Sequence, residues 1–125
     1  RYFLGGAVVY ADRLKTIFAE VPEELVRSEG PVSEPVARAM AEGIRRRTGA
    51  SVGIGITGIA GPGPGAPGPD ADKPIGLVYV AISYTGLTAD TSVTELNISG
   101  DRERVRLWAS QHALELLRRS MLERM

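Results

Sequence analysis

The chain contains no cysteine. Disulfides, thiolate metal sites and a cysteine nucleophile are therefore excluded, and the composition fits a reducing compartment. Histidine occurs once, at His112, so no His-based metal site can be assembled, and a Ser-His-Asp triad would have to use that residue. No run of about 18 apolar residues is present, which leaves no candidate membrane helix. No charged segment leading into an apolar stretch marks a signal peptide. An excess of one charge is missing too, because 15 Lys plus Arg balance 15 Asp plus Glu. No global field draws the chain to nucleic acid or anionic lipid. Lysine itself is scarce: Lys15 and Lys73 stand against 13 arginines.

What is present is ordinary globular composition, 43% hydrophobic and 24% charged over 125 residues. That length suits one domain able to bury roughly two-thirds of its unfolded surface. Arg1 opens the chain, and Tyr2-Phe3-Leu4 runs straight into a strand-like segment. The expectation is a piece of something longer, truncated at its N-terminus.

Small and β-branched residues predict a strand over 6–10. Leu14, Ile17 and Phe18 at helical spacing predict a short helix over 11–19, ending near Val21-Pro22. A second short helix starts at Pro22. Ser33-Glu34-Pro35 is the cleanest helix start, with Ser33 as N-cap, and the helix runs over 34–48 to a stop at Gly49. The run Arg45-Arg46-Arg47 reads as the solvated end of that helix. Val52 to Ile56 predicts a buried strand of parallel character. Strands are also expected over 76–83 and 92–98, joined as a hairpin near Gly86. A final helix over 101–121 carries Val105, Trp108, Ala109, His112, Leu116 and Leu117 near one stripe. Five prolines and six glycines in 58–76 exclude helix or sheet there, and 63–72 is expected to be the mobile stretch. The element order points to an α/β protein, an α/β/α sandwich with a mixed β-sheet in a single domain.

Gly53-Ile54-Gly55-Ile56-Thr57-Gly58 matches G-x-G-x-x-G, but its glycines lie inside an apolar run instead of at a helix start, so no dinucleotide site follows. The Asp70, Asp72 pair is too sparse for a cation and reads as solvated. His112 reads as a core or helix-surface histidine. Lys15 is a different matter. Lysine, unlike arginine, can lose its proton when desolvated, as a general base must. Lys15 follows Tyr10 by five residues, so both can face one cleft at a strand end; a surface lysine on an amphipathic helix is the plain alternative. The Thr57–Pro62 turn offers close backbone N–H groups to an oxyanion or phosphate. Arg102 at a helix N-terminus suits an anion, or else a capping role.

Taken together, Gly5-Gly6-Ala7-Val8-Val9-Tyr10 with Lys15, Gly30-Pro31-Val32-Ser33-Glu34-Pro35-Val36-Ala37, Thr57-Gly58-Ile59-Ala60-Gly61-Pro62-Gly63, Lys73-Pro74-Ile75-Gly76-Leu77-Val78-Tyr79-Val80-Ala81 and Gly100-Asp101-Arg102 resemble the CinA C-terminal domain, the family of bacterial nicotinamide-nucleotide amidases. The blocks run in register along nearly the whole of 1–125. The resemblance implies hydrolysis of the carboxamide of nicotinamide mononucleotide to nicotinic acid mononucleotide and ammonia. It implies a serine nucleophile in a Thr-Ala-Glu-Ser-Cys-Thr-Gly-Gly segment, which these 125 residues do not contain, so this chain alone is expected to be inactive. Lys15 matches the family's general base and Tyr10 the tyrosine beside it. Thr57, Gly58, Ile59, Ala60 and Gly61 match the loop lining the substrate pocket, and Arg102 the arginine assigned to the substrate phosphate. Ala11-Asp12 departs from the commoner Ser-Asn. The implied protein is a cytoplasmic homodimer acting on a small nucleotide, without cofactor, metal, nucleic acid or membrane. Two other readings stand beside it: a non-catalytic nucleotide-binding or regulatory module, and a structural oligomerisation domain.

Overall fold

A computed structural model describes residues 2–61, 68–86 and 90–125. In chain order come α1 (Asp12–Ala19), α2 (Glu23–Glu29), α3 (Glu34–Thr48), β1 (Val52–Gly58), β2 (Leu77–Tyr84), β3 (Asp90–Asn97) and α4 (Arg102–Glu123). The expected helices and three of the four expected strands are present, with ends shifted by one or two residues.

α3 shows how local chemistry sets an element. The Ser33 hydroxyl accepts from the Val36 N–H at 3.4 Å and donates to the Gly30 carbonyl at 2.9 Å. Pro35 sits in the first turn, and Gly49, at φ 73°, closes the helix by donating to the Arg45 carbonyl. Because Ser33 is buried, Ser33→Ala orphans two backbone groups where water cannot replace the hydroxyl. The expected loss is about 1–2 kcal/mol, read as a fall in the thermal midpoint; an unchanged midpoint would show that the cap contributes nothing.

The sheet has the order β1-β2-β3 and is antiparallel throughout the described residues, with Gly55 opposite Ala81 and Ala81 opposite Val93. β2 is the middle strand. Its Ala81 packs under Ala37 and Ala41 of α3, and its Val78 and Val80 pack on Val105, Ala109 and Ala113 of α4. Alternate residues of a strand face opposite ways, so the two helices cover opposite faces. The α/β/α sandwich is as expected. On the outer side of α3, α1 and α2 close a second cluster around Ala19, Val21, Val26, Val36 and Met40.

Several expectations are corrected. The sheet is not mixed among the described residues, because residues 6–10 form no strand. They belong to no helix or strand and pair with none of the three strands, and Tyr2, Phe3, Leu4, Val8 and Tyr10 are exposed. Strand propensity is largely the fit of side chains to neighbouring strands, and without such neighbours it has nothing to act on. β1 is antiparallel, not parallel, and its burial has another origin. A Cβ at Gly53 would stand 2.2 Å from the Ala41 carbonyl oxygen, and one at Gly55 2.6 Å from that of Ala37. The G-x-G pattern therefore lets α3 lie directly on β1. The arginine run is not merely solvated: Arg45 donates to the Ser83 hydroxyl at 2.9 Å and Arg47 to the Ile17 carbonyl at 2.7 Å. On α4, Trp108 and His112 face outward and the buried stripe is Val105, Ala109 and Ala113.

In the loop expected to be mobile, 63–67 lie outside the described residues. Gly68–Asp72 form a turn with Ala71 N–H donating to the Gly68 carbonyl at 3.1 Å. The hairpin partners β2 and β3 pair as expected, and residues 87–89 between them also lie outside the described residues. No helix among the described residues is long and apolar enough to cross a membrane.

Candidate functional site

Lys15 lies in the first half of α1, on the side turned toward the protein. Only 7% of it is accessible, although its residue type almost always reaches water. Its Nζ donates to the Val9 carbonyl at 2.9 Å and stands 3.7 Å from Oδ1 of the half-exposed Asp12. α1 is held there from its C-terminal end. Glu20 adopts the left-handed conformation at φ 57°, its N–H donates to the Thr16 carbonyl, and the Val21 N–H donates to that of Lys15. This turn drops Val21 into the core with no exposure. The surface-lysine alternative is thereby excluded. Tyr10 does not share the cleft expected of it: its side chain is 87% exposed.

The second group of residues stands at the C-terminal end of β1. Thr57 is buried, and its hydroxyl donates to the Pro31 carbonyl at 2.6 Å. Gly58 pairs with Val78 at the end of the β1–β2 ladder. Beyond it, Ile59 N–H donates to the Leu77 carbonyl and Gly76 N–H to the Ile59 carbonyl at 2.7 Å, which seals the base of the loop. Ala60 packs against the α4 cluster. At Gly61 a Cβ would come within 3.3 Å of the Arg102 Cβ and 3.4 Å of its Nε. The loop and the Arg102 guanidinium are thus neighbours, at the start of a 22-residue helix capped by Asp101. A helix N-terminus and a guanidinium beside a glycine turn together favour an anion.

The structure therefore brings Thr57 to Gly61 and Arg102 together. It places Lys15 on a separate element, with no hydrogen bond to that turn among the described residues. Two further charged residues hold the α2–α3 connection, whose Pro31 carbonyl accepts the Thr57 hydroxyl. Asp70 is not solvated: its Oδ2 accepts from the Val32 N–H at 2.9 Å and its Oδ1 pairs with Lys73 Nζ at 2.8 Å. Lys73 Nζ also donates to the carbonyls of Glu29 at 3.0 Å and Val32 at 2.5 Å. The signals were the scarcity of lysine and the i, i+3 spacing of an acid and a base. The 38-residue separation from Val32 hid the partner.

The family model for the CinA C-terminal domain matches residues 1–121. The chain belongs to the CinA C-terminal domain family. A CinA-like protein of Acidobacterium capsulatum is 51% identical over 122 residues, covering 98% of this chain and 28% of that protein. A putative competence-damage inducible protein of Alkaliphilus oremlandii is 43% identical, with the same coverage. This CinA domain thus spans little more than a quarter of the length of such relatives. Competence damage-inducible protein A (ComA) of Klebsiella pneumoniae superposes with a TM-score of 0.81 at 28% identity, over 91% of this chain and 66% of that one. The competence/damage inducible protein CihA of Agrobacterium tumefaciens gives 0.75 at 33% identity, over 86% and 62%. Likeness of sequence and of fold thus agree on a CinA domain.

Proposed function

We propose that the protein carrying this CinA domain is an amidohydrolase that converts nicotinamide mononucleotide to nicotinic acid mononucleotide and ammonia. The observation that carries the reading is the Lys15 amine, withdrawn from water on α1 in a chain of this family. In the neutral form such an amine still donates one N–H to the Val9 carbonyl and keeps a lone pair free. It takes the hydroxyl proton of a serine supplied by chain outside these 125 residues. The serine oxygen attacks the carboxamide carbon, the C–N bond breaks, and the nitrogen leaves as ammonia with the proton that Lys15 carried. Water, deprotonated by the same amine, then cleaves the ester to the free acid. Thr57 to Gly61 line the nucleotide, and Arg102 takes its phosphate. The same reading makes the protein a cytoplasmic homodimer that needs no metal or cofactor.

The decisive experiment is ammonia release from nicotinamide mononucleotide by the intact protein. Arg102→Ala is expected to raise KM about 10- to 100-fold with a smaller loss in kcat, the worth of a charge-assisted hydrogen bond to phosphate. An unchanged KM would remove Arg102 from the phosphate site. A second reading, a nucleotide-binding module without chemistry, is favoured by one observation: among the described residues, the polar groups at Lys15 Nζ are a carbonyl and a carboxylate, with no hydroxyl. Saturable nucleotide binding without ammonia release would establish it.

A further inference from the structure

We propose that Asp70 and Lys73 are positioning residues, a latch that orients the Thr57 hydroxyl and with it the substrate loop. The inference rests on the amidase reading for its kinetic consequences, and on the structure alone for the latch itself.

In the connection between α2 and α3, Gly30-Pro31-Val32, the Gly30 N–H still donates back to the Val26 carbonyl of α2, but the Val32 N–H and carbonyl have no helix or strand partner. Asp70 and Lys73 satisfy these two groups instead. The carboxylate takes the Val32 N–H, and the ammonium takes the carbonyls on either side of the segment, Glu29 and Val32. The two side chains also bond to each other, so each is held by the other's charge. The Pro31 carbonyl, between those anchors, accepts the Thr57 hydroxyl at 2.6 Å. That bond selects one rotamer of Thr57 and leaves its oxygen lone pairs in a defined direction. Fixing Glu29 and Val32 therefore fixes Pro31, and fixing Pro31 fixes Thr57.

Two details show that the site is shaped for this contact. Gly30 has φ 87°, and a Cβ there would stand 2.1 Å from Asp70 Oδ1, so only glycine lets the carboxylate in. Ser33, the cap of α3, donates to the Gly30 carbonyl, which ties the same segment to the helix start. Ile59 and Gly76 bond to each other next to β1 and β2, and Asp70 and Lys73, in the stretch leading back to β2, hold to α2 and the α2–α3 connection.

A latch of this kind is needed for orientation and touches no reacting atom. Its loss is expected to weaken substrate binding more than turnover, and to act through Thr57. The test uses the intact protein with Lys73→Met, which keeps most of the apolar stem, Asp70→Asn, and each combined with Thr57→Val. Lys73→Met should raise KM for nicotinamide mononucleotide at least tenfold while kcat falls less than threefold. On the Thr57→Val background it should change KM less than twofold, because the group it orients is already gone. Asp70→Asn, which keeps an acceptor for Val32 but loses the charge, should show the same pattern at smaller size.

Hydrogen exchange of the Val32 amide is the arm that needs no substrate. Protection should fall at least tenfold in Lys73→Met while the thermal midpoint shows the protein still folded. Unchanged Val32 exchange, or a KM effect that persists in full on the Thr57→Val background, overturns the proposal. If the wild type releases no ammonia, the amidase reading fails by itself, and the exchange arm still decides the latch.

Discussion

Replacing Lys15 by methionine in the intact protein is expected to lower kcat/KM for ammonia release by several orders of magnitude. General-base catalysis alone contributes roughly 10²–10⁴-fold, and an unactivated serine forfeits its nucleophilic step as well. Methionine is the informative substitution because the Lys15 stem is buried. It keeps the packing and removes the amine, so the thermal midpoint should move little more than the lost Val9 hydrogen bond requires, about 1 kcal/mol. Lys15→Ala should lose activity equally and cost more stability, since it also leaves a void beneath α1. Lys15→Arg should fail as a base because a guanidinium stays protonated at any useful pH. Wild-type turnover in either Lys15→Met or Lys15→Arg would remove Lys15 as the base.

Gly43→Ala should be among the most damaging single methyl additions in the chain. A helix interior normally prefers alanine to glycine by about 1 kcal/mol, so on propensity alone the change stabilises. The tertiary contact reverses the sign. A Cβ at Gly43 would lie 1.6 Å from the Ala19 carbonyl oxygen and 2.6 Å from its carbon. The obstacle is backbone, at the C-terminal end of the helix that carries Lys15, and it cannot rotate away. α1 must shift off α3, against the burial of Ala19 and Val21. Over-packing of this kind costs about 1–3 kcal/mol or more, which for a domain of this size lowers the melting midpoint by on the order of 10 °C. Because Lys15 moves with α1, turnover should fall as well. A midpoint equal to or above that of the wild type would show that α1 does not rest on Gly43.

What could be read from the sequence is what neighbouring residues decide among themselves. Ser33, Pro35 and Gly49 bound α3 because a cap, a fixed φ and a left-handed stop act within one turn. Val78, Val80 and Ile82, two apart in the stretch 76–83, mark β2 because side chains two apart in a strand face the same way. Lys15 was a candidate base by its chemical type, and Arg102 a candidate anion ligand by its place beside a helix start.

The tertiary structure decided whatever depends on a partner remote in the chain. Residues 6–10 have the composition of a strand, yet a strand is made by hydrogen bonds to another strand, and none of the three pairs with them. The glycines of β1 resemble a nucleotide motif until α3 is seen lying on them. Asp70 and Lys73 look like loop charges until the fold brings Glu29 and Val32, 38 to 44 residues away, against them. Such contacts are governed by how helices and sheet pack and by where a long loop closes. Local propensity carries no record of either, because the groups involved meet only after the core has formed.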